Sequence, residues 1–115
     1  MHQPLRTSAA TVPLTLADVR AAAERIAGQV VRTPTLYSQT LSAISGAQIW
    51  LKFENLQFTA AYKDRGALNA LLLLDPVRRN RGVIAASAGN HAQGLSYHAT
   101  RLGVPATIEI GRAHV

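Results

Sequence analysis

Apolar residues recur at helical spacing in four stretches of this chain and form short unbroken runs in three others. Leu16, Val19, Ala23 and Ile26 share one face of a predicted helix, with Thr15 as its N-cap and Gly28 as its stop. After the Arg32-Thr33-Pro34 turn, Thr40–Ile44 predicts a short helix ending near Gly46, and Gln48–Phe53 predicts a strand rich in β-branched and aromatic residues. Asp64–Leu74 predicts a helix apolar enough to be buried on several sides, ended by Asp75-Pro76. Val83–Ala86 predicts a buried strand, Ser87–Asn90 a polar turn, and His91–Leu102 a helix with Ala92, Leu95, Ala99 and Leu102 inward and Gly103 as its stop. Val104–Ile108 follows as a strand. Strand, helix and strand at this spacing imply a right-handed parallel βαβ unit, so the expected class is α/β. Parallel sheets are normally covered on both faces, and two or three strands leave an open edge.

Composition narrows the function classes. A chain of 115 residues, 48% hydrophobic, is one small domain or a piece of a larger one, and is too apolar to be disordered. No apolar run approaches the ~20 residues that span a bilayer, so no membrane partner is expected. Residues 1–13 are expected to be a flexible amino-terminal arm, and their lack of acids only faintly suggests a transit peptide. Cysteine is absent, which excludes disulfides and fits a reducing, cytoplasmic setting. The formal charge of +6 invites a nucleic-acid reading. Against it, the basic residues are scattered apart from Arg78, Arg79 and Arg81, and no aromatic platform lies among them.

Two motifs carry candidate chemistry. Only Lys52 and Lys63 are lysines among the 12 basic residues, so a covalent amine has few places to sit. A free lysine amine is mostly protonated near neutral pH and becomes a nucleophile when desolvated. Lys63, in Ala61–Ala67 (AYKDRGA), precedes an apolar helix, whereas alternation along its strand turns Lys52 toward solvent. A surface lysine at a helix start remains the plain alternative for Lys63. Ser87–Gly94 (SAGNHAQG) sets a turn between a strand and a helix N-terminus, where unpaired N–H groups favour a carboxylate or phosphate. Gly89 and Gly94 permit close backbone approach and helix packing, and Gly66 and Ala67 allow the preceding helix to pack tightly. An ordinary N-cap from Ser87 or Asn90 is the alternative. Arg65 either braces the site through an ion pair or solvates the helix start. His91 and His98 share a helical face but lack a third ligand, so no metal is expected.

In combination, Leu51–Gln57 (LKFENLQ), AYKDRGA and SAGNHAQG, with Arg32–Ser38 (RTPTLYS), resemble the pyridoxal-phosphate enzymes of fold type II, nearest the threonine ammonia-lyases or threonine dehydratases. The likeness runs from about Leu14 to Ile108. It implies part of the three-layer, tryptophan synthase β-like fold, truncated relative to family chains that are several-fold longer. By resemblance, Lys63 would hold pyridoxal 5'-phosphate covalently and remove the α-proton of the substrate. Asn90 would hydrogen-bond the ring 3-oxygen, and Tyr62, where the family usually has phenylalanine, would pack beside the cofactor. Ser87, Ala88, Gly89, Asn90 and His91 would surround the substrate carboxylate. Threonine or serine would yield 2-oxobutanoate or pyruvate with ammonia, in a homo-oligomer when full length. Serine racemases of this fold carry a second serine at the position of Ala88, so alanine there favours elimination. The glycine-rich phosphate loop of the family is missing, and Glu109–Val115 is expected to be a non-native tail. The alternatives are a racemase-like enzyme, a basic nucleotide-binding module, and a stub pairing with a longer enzyme through its strand edge.

Overall fold

The computed structural model describes residues 12–112. The elements run α1 (Leu16–Ile26), β1 (Thr35–Tyr37), α2 (Gln39–Ser45), β2 (Trp50–Lys52), a 3-10 turn (Glu54–Leu56), α3 (Lys63–Leu72), α4 (Pro76–Arg81), β3 (Val83–Ala86), α5 (Asn90–Leu102) and β4 (Ala106–Glu109). Thr15 caps α1 in a full capping box, its hydroxyl accepting from the Asp18 N–H while the Asp18 carboxylate accepts from the Thr15 N–H. Most of the arm expected at residues 1–13, and residues 113–115 of the expected tail, lie outside the described residues.

β3 and β4 pair in parallel, with α5 as the crossover between them, as the spacing predicts. β4 begins two residues later than expected. The Val104 N–H turns back to the Ala99 carbonyl to close the α5 C-terminus, and Pro105 has no N–H to give to a ladder. It also extends to Glu109, whose backbone pairs with Ala86 and whose carbonyl accepts from the Ser87 N–H at 3.1 Å. Gly82 delivers the chain into β3 at φ +85°, where a Cβ would sit 2.9 Å from the Pro105 Cβ. No other residue type fits both constraints.

Three further departures have simple causes. β1 is a strand that periodicity does not reveal, since three residues are too few to show alternation. It pairs antiparallel with β2, which is itself shorter than Gln48–Phe53. The Arg78, Arg79 and Arg81 cluster lies on α4, a helix started by Asp75 as N-cap and Pro76 in its first turn. The third is Gly66, where a Cβ would meet nothing within 4 Å, so a small residue is not what lets α3 pack there.

The core lies between α3, α5 and one face of the β3–β4 pair. Ala67, Leu71, Leu95, Ala99 and Val104 form its centre, with Val83, Ala85 and Ile108 packed against it. The opposite sheet face is open, and Ile84 there is 74% exposed.

Candidate active site

Lys63 is the first residue of α3 and Tyr62 is its N-cap, with no side-chain capping bond. The Lys63 side chain is half-buried, and its Nζ lies 5.1 Å from the centroid of the exposed Tyr62 ring, a cation–π contact. Among the described residues this amine has neither a hydrogen bond nor an ion pair. Lys52 differs. Although its side chain is 46% exposed, its Nζ donates to the Thr33 carbonyl at 3.0 Å and lies 3.8 Å from Glu54. Lys52 is exposed, as alternation along its strand predicts, but it is also tethered, which leaves Lys63 as the one unpartnered lysine amine among the described residues.

The Ser87–Asn90 turn follows β3 directly, and Gly89 is the N-cap of α5 without any side-chain capping bond. Ser87 Oγ accepts from the Gly89 N–H at 3.2 Å, and the first intrahelical bond runs from the Gln93 N–H to the Gly89 carbonyl. The amides of Asn90, His91 and Ala92 therefore precede the hydrogen-bonded ladder at the positive end of a 13-residue helix. Ala88, Gly89, Asn90 and His91 are exposed and Ser87 is half-buried. Of the two histidines on one face, His91 meets solvent and His98 is fully buried, because only the latter lies where α3 crosses.

Gly94 brings these two parts together. A Cβ there would sit 3.2 Å from the carbonyl carbon and oxygen of Lys63 and 3.3 Å from the Asp64 nitrogen. The Lys63 main chain thus rests on α5 one turn beyond Asn90. The expected close-packing role belongs to Gly94, while a Cβ at Gly89 would meet nothing within 4 Å. A depression of about 330 Å³ borders the turn, lined in part by Ser87, Ala88, Gly89 and Gln93. A larger cavity, about 730 Å³, lies elsewhere, between α1 and α3, and shares no residue with the turn. Its walls are mainly apolar, among them Val19, Ala23 and Ile26, and its polar members Arg32, Arg65 and Asn69 include no lysine amine.

Two polar clusters escape a reading by motif. Arg65 forms a two-pronged pair with Glu54, Nε to Oε2 at 2.8 Å and Nη2 to Oε1 at 2.9 Å, and also donates to the Val31 carbonyl. The guanidinium holds the Glu54 carboxyl down at about 2, against partial burial, with Thr33 and Gln57 adding hydrogen bonds. Arg65 thus makes an ion pair, as one of its two sequence readings allowed. Asp64 and His98, both fully buried, meet at 2.8 Å. The sequence carries a signal for this contact: Asp64 falls in register with Ala67, Leu68 and Leu71, a polar residue on an apolar stripe. No buried side-chain nitrogen or oxygen among the described residues lacks a partner.

A parallel βαβ unit with an uncapped helix N-terminus, against which the main chain of a lysine free of counter-ions packs, is an architecture suited to a carbonyl cofactor and an anionic substrate. The chain belongs to the pyridoxal-phosphate dependent enzyme family, whose model matches residues 26–112. It is 53% identical over 91 residues to an L-threo-3-hydroxyaspartate ammonia-lyase of a Pseudomonas species, covering 79% of this chain and 28% of that protein. It is 48% identical over 99 residues to the L-threonine ammonia-lyase of Thermotoga maritima, covering 86% and 25% respectively. The structure of maize serine racemase superposes with a TM-score of 0.76 at 38% identity, over 84% of this chain and 30% of that one. The chain spans about a quarter of the length of the curated relatives it matches. Its fold is part of fold type II, and the cofactor of the family is pyridoxal phosphate.

Proposed function

We propose that this chain carries the lysine-bearing part of a pyridoxal-phosphate-dependent ammonia-lyase acting on threonine or serine, with 2-oxobutanoate or pyruvate and ammonia as products. The observation that supports it most is the seating of the Lys63 main chain on Gly94, one turn into the helix that follows the uncapped turn, together with an amine that has no counter-ion among the described residues. The donor set fits the cofactor: an amine for its aldehyde, and amide and carboxamide groups for its ring oxygen and for a substrate carboxylate. The glycine-rich phosphate loop of the family has no counterpart among the residues of this chain. When bound, the cofactor supplies an electron sink that acidifies the hydrogen on the substrate Cα.

The residues of this chain do the rest. Lys63 Nζ anchors the cofactor and then takes the α-proton. Asn90 donates its side-chain amide to the ring 3-oxygen, and Tyr62 packs beside the ring. Ser87, Ala88, Gly89, Asn90 and His91 surround the substrate carboxylate, chiefly through main-chain N–H groups. The Ala88 methyl has no ionisable proton, so it cannot reprotonate Cα from the opposite side, which favours elimination over racemisation. Assembly as a homo-oligomer and a cytoplasmic setting belong to the same reading.

Incubation with pyridoxal 5'-phosphate, borohydride reduction and peptide mapping tests the assignment. The pyridoxyl group is expected predominantly on Lys63; predominance on Lys52, or label on neither lysine, overturns it. A second reading, elimination from a 3-hydroxy amino acid with a β-carboxylate, is supported by the 53% identity to the hydroxyaspartate enzyme. Assaying ammonia release from threonine, serine and threo-3-hydroxyaspartate with an enzyme containing this segment separates the two.

A further inference from the structure

Asp64 is joined to both sides of Lys63. Behind it, Asp64 Oδ2 accepts from the Thr59 N–H at 3.3 Å and from the Thr59 hydroxyl, fixing the loop that leads into α3. Within that loop Ala60 holds φ +58°, the one left-handed non-glycine residue among those described. Across the helix interface, Asp64 Oδ1 meets His98 Nε2 at 2.8 Å, a link between residues 34 apart in the chain. The other face of the imidazole, Nδ1, receives a long contact of 3.4 Å from Arg101 Nη2, which also donates to Gln29 Oε1 at 3.1 Å. A guanidinium only donates, so Nδ1 is the acceptor and Nε2 carries the hydrogen that His98 donates to Asp64. The Tyr97 ring closes the site edge-on, 4.9 Å from the imidazole.

Resting on the reading of Lys63 as the cofactor lysine, we propose that Asp64 and His98 are positioning residues, a buried lock that fixes where Lys63 stands on α5. Apolar contacts alone between α3 and α5 are non-directional and tolerate small rotations of one helix on the other. A carboxylate taken out of water is costly, and it is retained here at a site fully closed to solvent. Its hydrogen bonds are directional and set the rotation of the first turn of α3. That rotation fixes the direction in which Lys63, the preceding residue, leaves the helix. Gly94 supplies the matching close approach, since the Asp64 nitrogen lies 3.3 Å from the place of a Cβ there.

The test uses the whole chain and two readouts. The first needs no cofactor: the nuclear Overhauser cross-peak between the Gly94 α-hydrogens and the Asp64 amide. The second is the ratio of pyridoxyl label on Lys63 to that on Lys52 after treatment with pyridoxal 5'-phosphate and borohydride, with Lys52 as internal control. Because small misplacements are costly, the ratio is expected to fall about tenfold in Asp64→Ala, about threefold in Asp64→Asn, and less than about twofold in His98→Gln. Asparagine keeps the volume and the acceptor for His98 but loses the acceptor for Thr59, whereas glutamine retains a donor toward Asp64. The cross-peak weakens in the same order.

A packing role predicts the reverse for Asp64→Asn, which is nearly isosteric. Should that variant keep both the wild-type ratio and the wild-type cross-peak, the lock is overturned, and this holds even if Asp64→Ala does not fold. A wild-type chain with the cross-peak but no label on Lys63 would sink the cofactor reading. The lock would then stand or fall on the cross-peaks of the variants.

Discussion

The two halves of this molecule are held together by different physics. From α3 onward, apolar side chains of two helices close on one face of a parallel strand pair, and the polar groups inside are few and fully satisfied. Between α1 and α3, the elements are short and leave Leu36, Leu41 and Trp50 exposed. Their connections run through hydrogen bonds. Gln57 clamps both backbone groups of Val31, at 2.9 and 2.8 Å, and Glu54 gathers Arg65, Gln57, Lys52 and Thr33. Arg65 belongs to both halves, since it extends from α3 while its charge is spent on the first. The site half therefore depends on shape and volume, and the leading half on charge and pH.

That contrast breaks most visibly in the core. Leu71→Ala is expected to lower the unfolding free energy by about 2–5 kcal/mol, because its side chain is wholly enclosed between α3 and α5. Val19→Ala on α1, where the side chain is 51% exposed, should cost less than about 0.5 kcal/mol. Urea titrations of the two variants measure the difference. Equal losses would show that α1 is as firmly packed as α3.

Acid sharpens the comparison in the other half. The carboxyl of Glu54 is held at about 2 in the folded chain against an ordinary value of 4.5. A lowered folded value means that the contribution is complete above about pH 4.5 and is lost as pH falls from there toward 2. Glu54→Gln should therefore unfold more readily at neutral pH and show a flatter pH dependence between those limits. Denaturation midpoints along the pH series give the answer, and a wild-type slope retained in Glu54→Gln would contradict it. Leu71→Ala, by contrast, should shift every midpoint alike.

A modest effect of opposite sign lies where the halves join. Ala60 holds a left-handed conformation just ahead of Lys63, at a cost of roughly 1–2 kcal/mol that glycine does not incur. Glycine gives back part of the gain through unfolded-state entropy, so Ala60→Gly should stabilise by about 0.5–1 kcal/mol. Thermal melts resolve a change of this size, and a lowered midpoint would show that the methyl group of Ala60 makes a contact worth more than the strain.

Much of the fold and of the site's parts was legible in the residues themselves. β3 was exact because a short apolar run between Gly82 and Ser87 has no other use. Helices α3 and α5 were placed within two residues, because their stripes and stops are local. Legibility failed where the signal was short or distant. β1 and α4 are too brief for periodicity, and the roles of Gly66 and Gly94 divide only once two helices cross. Asp64 and His98 each stand on an apolar stripe, a visible anomaly, but a stripe does not say which polar residue it will face.

By itself, then, the sequence determined the α/β class, the parallel crossover, the scarcity of lysines and the polar turn at a helix start, all written in neighbouring residues. Tertiary structure decided that Lys52 is tethered while Lys63 is not, that the Lys63 backbone lies on Gly94, and that Asp64 turns to His98. Those outcomes depend on contacts between residues tens of positions apart. The pairing of β1 with β2 decides the first of them, and the packing angle and spacing of α3 on α5 decide the other two.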